Sequence, residues 1–153
     1  MIGRETQICL VNKLENIHHV VVQASAIDGS NVFALQLLHK QSDVVVYQTP
    51  NDSETVTFDE DHPILYLKGP NSAGTAGGHT QTWIQSGENS KWFVGTKPKR
   101  HGNTYWTTQI ARVTVLGYQT QVFTNNTELP RLSYLNRAGA GYGDGSTVYP
   151  GKD

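Results

Sequence analysis

All three tryptophans of this chain, Trp83, Trp92 and Trp106, fall in one short stretch, together with a cluster of cations and amides. His79 and Gln81 precede Trp83, and Lys97, Lys99, Arg100 and His101 lead into Tyr105 and Trp106. Exposed aromatic faces beside amides and hydroxyls suit a ligand with one apolar face and a polar rim. Cations beside aromatics suit an anionic glycopolymer. The charges would meet phosphate or carboxylate groups, and the rings would lie on sugar faces. His79, Gln81, Trp83, Lys99, Arg100, Tyr105 and Trp106 are therefore the candidate ligand-binding residues, and the loop 97–105 is expected to form one wall of that surface. Two bland readings compete and describe the commoner uses of such residues: tryptophans packed between sheets, and a solvated basic loop.

Other chemistry finds no foothold. The six histidines include no HExxH pair, and the single cysteine, Cys9, excludes thiolate zinc motifs and intrachain disulfides. His18 and His19 are adjacent, so on a strand they would point to opposite faces. No GxSxG, phosphate-binding or dinucleotide fingerprint occurs. Asp52, Glu54, Asp59, Glu60 and Asp61 sit in one polar connection, whereas glycoside hydrolysis needs two carboxylates facing each other across a cleft. The expectation is a protein that is not an enzyme, with no catalytic residue, metal or cofactor.

The elements that must position the aromatic stretch read as strands. Residues 91–96 alternate, with Trp92 and Val94 on one face and Phe93 on the other; residues 106–116 alternate again, with Ala111, Val113 and Val115 together. Upstream, residues 20–26 and 32–38 form a predicted hairpin around Asp28-Gly29-Ser30-Asn31, a turn sequence suited to positive φ. Further strands are predicted at 8–11, 43–48, 64–68, 80–85, 118–123 and 132–135, with a short one around Val56 and Phe58. Residues 69–78, GPNSAGTAGG, read as a flexible loop, and the Gly-rich residues 137–153 as a loop or poorly ordered tail.

Composition agrees with an all-β chain. Charged residues make up 16% and glycine 15 of 153 positions, below and above the usual ~25% and ~7%. One domain spanning 1–153 is expected. SAIDGSNVFALQ (25–36) aligns weakly with QSGENSKWFVGT (85–96), an offset of 60 that places Phe33 on Phe93. A period of that size built from short strands points to antiparallel meanders of three to four strands in part of a larger β-propeller, with a β-sandwich as the alternative. An incomplete ring would expose sheet edges, from which self-assembly is expected. A formal net charge of −1 argues against nucleic acid as a partner. No apolar run is long enough for a transmembrane segment or a signal-peptide core.

The segments GGHTQTW (77–83), KWFVGTKPK (91–99), TTQIARV (107–113) and LPRLSYLNRAG (129–139) resemble the helveticin J family, large heat-labile class III bacteriocins of lactic acid bacteria. VVVQASAIDGSNVFALQL (20–37) resembles it more loosely. The resemblance implies a secreted, extracellular antibacterial protein that kills related Gram-positive bacteria at their surface. It also implies a longer family chain, so this sequence is expected to be a truncated member or a fragment. It transfers no assigned catalytic or receptor residue. The alternative function is a carbohydrate-binding, lectin-like propeller module recognising cell-surface glycans.

Overall fold

The computed structural model describes residues 13–15, 22–87, 90–117 and 119–130. They form ten strands: β1 (Lys13–Glu15), β2 (Val22–Ile27), β3 (Asn31–Leu38), β4 (Asp43–Pro50), β5 (Thr55–Thr57), β6 (Leu65–Leu67), β7 (Trp83–Gln85), β8 (Lys91–His101), β9 (Thr104–Thr114) and β10 (Gln121–Phe123). A five-stranded sheet runs β10-β6-β4-β3-β2, antiparallel except for the parallel β10–β6 pair. A three-stranded antiparallel sheet runs β7-β8-β9, and β1 pairs with β5 in parallel.

The two larger sheets pack through one alternating set of apolar side chains. Phe33, Leu35, Leu37, Val44, Val46, Leu65 and Leu67 on the first meet Trp83, Trp92, Val94, Ala111 and Val113 on the second. Trp83 and Trp92 stack with centroids 4.8 Å apart and planes 4° apart, and Phe33 lies 4.5 Å from Trp92. The predicted facing of 91–96 holds: Trp92 and Val94 are buried, and Phe93 is half-buried on the outer side. The alternate residues of β3 and β4, namely Val32, Ala34, Val45 and Tyr47, are covered from behind by Val56 and Phe58. Central strands covered on both faces read as continuous apolar runs, and that is why 32–35 and 44–46 show little alternation.

This arrangement corrects the propeller expectation. The sheets are open and mix parallel with antiparallel pairing, and among the described residues nothing curls into a ring of blades. Two sheets lie face to face, as the sandwich alternative requires. The lectin-like propeller module falls with the propeller. The two segments aligned at an offset of 60 lie in different sheets, where Phe33 packs against Trp92 and Phe93 is half-buried on the outer side.

The segment 69–78 is not a loose loop. Gly69, Gly74, Ala76, Gly77 and Gly78 are buried, and the N–H groups of Ala76 and Gly77 both donate to the Lys68 carbonyl at 2.9 Å. A Cβ at Gly69 would overlap the Ser42 carbonyl, and one at Gly77 the Leu67 carbonyl. These glycines permit close backbone approach rather than mobility. Because 76–82 is drawn across the β8–β9 hairpin, with the Thr96 hydroxyl donating to the Ala76 carbonyl at 2.8 Å, the strand predicted at 80–85 shortens to 83–85. The strand predicted at 118–123 appears as β10, residues 121–123. The predictions at 8–11, 132–135 and 137–153 lie outside the described residues.

Candidate functional site

β8 and β9 each have 11 residues, while their neighbour β7 has three. The distal part of the β8–β9 hairpin therefore extends past its partner strand. Its turn is Gly102-Asn103, with Gly102 at φ 65°. A first central residue at positive φ matches the right-handed twist of the flanking strands, and glycine takes it without strain. Just inside the turn, Lys99 pairs with Trp106 and Arg100 with Tyr105. Cross-strand partners share a face, so each face of the tip carries one cation beside one aromatic ring.

Lys99, Arg100, His101, Trp106 and Thr108 line a shallow depression. Trp106 is 45% exposed, unusual for so large a ring. The guanidinium of Arg100 lies 5.9 Å from the Tyr105 centroid, and its Nε donates to the Gly102 carbonyl at 2.9 Å. Neither Lys99 nor Arg100 pairs with a carboxylate among the described residues. The tip thus presents unneutralised positive charge to solvent.

His79 fixes the other side of Trp106. Its N–H donates to the Tyr105 carbonyl at 2.7 Å, its own carbonyl accepts from Thr107 N–H at 3.2 Å, and its ring lies 4.2 Å from the Trp106 ring. Gln41 Oε1 lies 2.6 Å from His79 Nδ1 and selects the tautomer protonated there. Burial pushes the His79 pKa below its ordinary value.

Five of the seven candidate residues, His79, Lys99, Arg100, Tyr105 and Trp106, therefore meet at the tip. Trp83 does not: it is 3% exposed and belongs to the inter-sheet core. Gln81 is exposed, but its amide reaches Gln23 of β2 at 3.3 Å, on another edge of the molecule.

The sequence reading missed a second polar cluster. Asp43 is fully buried, yet its carboxylate accepts four hydrogen bonds, from Gly69 N–H (2.8 Å), Tyr66 Oη (2.7 Å), Ser72 Oγ (2.7 Å) and His39 Nδ1 (2.8 Å). Burial alone would raise its pKa, but these donors outweigh burial and hold it below the usual carboxylate range. Burial, together with the contact to Asp43, pushes the Tyr66 hydroxyl upward. The cluster secures the β3–β4 turn, where His39, Lys40 and Gln41 all have φ between 51° and 64°, a region costly for side-chain-bearing residues.

Ser72, His39 and Asp43 have the composition of a nucleophile relay without its wiring. The Ser72 hydroxyl donates directly to the carboxylate, and serine and aspartate approach the same histidine nitrogen. A relay needs the base to take the serine proton on its other nitrogen. Only a buried, negatively charged Asp43 could have announced this site, and an isolated aspartate at a strand start carries no such signal in sequence.

Among the described residues no group of three or more His, Cys, Asp or Glu side chains could hold a metal, and no helix is long and apolar enough to cross a membrane. Fold and site together define a two-sheet β protein with a cationic, aromatic hairpin tip. The family model for bacteriocin helveticin-J matches residues 3–153, and the chain belongs to that family. A curated relative, bacteriocin helveticin-J of Lactobacillus helveticus, is 35% identical over 134 residues, which cover 80% of this chain and 36% of the relative. The chain thus spans about a third of that relative's length. No solved structure matches it.

Proposed function

We propose that this protein is an extracellular antibacterial protein that acts on related Gram-positive bacteria without catalysing hydrolysis, and that the β8–β9 tip is its contact with the target surface. Family membership supports the antibacterial reading: the relative that matches over 80% of the chain is named a bacteriocin. The observation that carries the contact is the exposed Trp106 between Lys99 and His79, with Arg100 on Tyr105 behind it. Unpaired cations draw an anionic wall polymer from solution, and an exposed ring gives it an apolar footing. The polar connection 51–62 keeps Asp52, Glu54, Asp59, Glu60 and Asp61 exposed along one segment.

The test joins killing to adsorption. Purified protein should lower viable counts of related Gram-positive cells without releasing soluble wall fragments. Lys99→Glu with Arg100→Glu should abolish adsorption to intact cells and leave the melting temperature unchanged. Raising salt should weaken wild-type adsorption, because exposed charges are screened beyond ~8–10 Å. Dose-dependent release of wall fragments would refute the non-hydrolytic reading, and adsorption indifferent to salt and charge reversal would refute the tip.

A further inference from the structure

The fold clamps a titratable ring against the exposed tryptophan of the tip. Gly78 lets segment 76–82 lie close on the hairpin: a Cβ there would come within 2.8 Å of Pro98 Cβ and 3.1 Å of the Tyr105 carbonyl. One residue on, the His79 carbonyl accepts from both the N–H and the hydroxyl of Thr107, at 3.2 and 3.1 Å, while its N–H donates to the Tyr105 carbonyl. The backbone of His79 is thus fixed on both sides of Trp106, and its ring lies 4.2 Å from the Trp106 ring with planes tilted by 42°. A second support comes from the other sheet. Gln41, exposed in the β3–β4 turn at φ 64°, sets its Oε1 2.6 Å from His79 Nδ1.

A carbonyl oxygen only accepts, so Nδ1 keeps its proton and Nε2 is left to take the next one. The Gln41 bond survives in both charge states, and the ring can gain a proton without leaving Trp106. An imidazolium in that place lies within cation–π range of the indole. Around it stand Lys99, the cross-strand partner of Trp106, Arg100 over Tyr105, and His101 in the same depression. From the turn come His39 and Lys40 beside Gln41, and Asp43, which is buried and bonded to His39. No carboxylate pairs with His79 among the described residues. Burial holds the pKa of the ring below its ordinary value, so it is uncharged at neutral pH. A neutral base inside a cationic tip lacks only an anion to make its protonation favourable.

We propose that His79 couples the tip's hold on an anionic glycopolymer to a proton: the ring is neutral in the free protein, takes a proton from solvent at Nε2 when the polymer's charges settle beside Trp106, and becomes a further cation of the tip. This inference rests on the tip being the contact with the anionic polymer. Coupling of this kind is reciprocal: an anion that favours the protonated ring is itself bound more tightly when the ring is protonated. Affinity therefore rises as pH falls through the range in which His79 titrates. Gln41 acts through His79, as a positioning residue that keeps the ring on Trp106 and reserves Nε2 for the proton.

The probe for the test is a dextran sulfate fragment, whose sulfate esters stay ionised throughout. Its affinity is read from tryptophan fluorescence at low salt, and the charge of His79 from its own ring Cε1–H resonance by NMR, which separates it from His101. Between about pH 7.5 and about pH 5.5 the wild-type affinity should rise at least about fivefold, and the His79 midpoint should move up when the probe is bound. His79→Gln should lose most of that rise. Gln41→Glu, at an exposed position, keeps an acceptor for Nδ1 and adds a negative charge. It should raise the His79 midpoint in the free protein and carry the pH of tightening upward with it, and it serves the test if His79→Gln fails to fold. Three results would overturn the coupling while leaving the tip as the contact: a bound probe with the His79 midpoint unmoved, a rise in affinity that survives in His79→Gln, or a Gln41→Glu midpoint that moves without the affinity curve. A probe that fails to bind wild type at either pH would refute the tip reading, and the coupling with it.

Discussion

Removing the Asp43 carboxylate should be among the most damaging single changes in the molecule at neutral pH. The side chain is fully buried and holds Gly69 N–H, the hydroxyls of Tyr66 and Ser72, and His39. Asp43→Ala strands the Gly69 N–H, which water does not reach, and frees the strained β3–β4 turn. Removing one partner from a buried charged cluster typically costs ~3–5 kcal/mol. At ~2–4 °C per kcal/mol for a domain of this size, the melting temperature should fall by roughly 6–20 °C. Asp43→Asn keeps one acceptor for Gly69, and its hydroxyl neighbours can turn to accept, so its cost should be smaller, ~1.5–3 kcal/mol. The pH dependence follows from the direction of the pKa shift. A carboxyl held below its unfolded value binds its proton less readily when folded. Its stabilisation is complete above the unfolded pKa of ~3.9 and is lost as pH falls through the folded pKa. Thermal melts of wild type and both variants from pH 7 down to pH 2 should therefore converge at the acid end. An Asp43→Ala melting temperature within error of wild type at pH 7, or a gap that persists unchanged into acid, would refute this account of the cluster.

Other substitutions separate the remaining structural claims. Trp92→Ala should cost ~3–5 kcal/mol because the ring is 2% exposed between Phe33 and Trp83, while Phe93→Ala, on the outer face, should cost clearly less; equal losses in urea melts would refute the facing of β8. Gly77→Ala should prevent native folding, since its Cβ would meet the backbone carbonyl of Leu67, and a native-like spectrum for that variant would refute the close packing of segment 69–78. The ring of His79 should titrate below its ordinary value of ~6.5 in an NMR pH series. A histidine whose folded pKa is lowered stabilises fully above the unfolded pKa and less as pH falls below it, so His79→Gln should flatten the stability curve below pH ~6.5.

How far the sequence reached depended on range. Wherever one face of a strand is buried and the other is not, the alternation is local and legible: Trp92 and Val94 inward with Phe93 outward, then Ala111, Val113 and Val115 together. The Asp28–Asn31 turn was equally plain, because Gly29 alone can take φ 95° cheaply. The hairpin tip was half visible, since Lys99–Trp106 and Arg100–Tyr105 become neighbours once one antiparallel register is assumed. Family membership also came from four short segments in order.

What the chain could not reveal locally, long-range packing decided. Trp83 and Trp106 have similar neighbours in sequence, yet one is sealed against Trp92 and the other stands 45% exposed, because a second sheet covers only the first. The glycines of 69–78 look like the composition of a mobile loop; only the nearness of the Ser42 and Leu67 carbonyls makes them requirements of packing. Asp43 reads as an ordinary strand-start aspartate until Gly69, Tyr66 and Ser72, 23 to 29 residues away, converge on it. A period of short strands fits a ring of blades or a pair of facing sheets equally well. Parallel pairing of β10 with β6 and the covering of β3 and β4 by Val56 and Phe58 chose the facing sheets. Alternation records which side of a strand is dry, and it carries no information about which distant surface keeps it so.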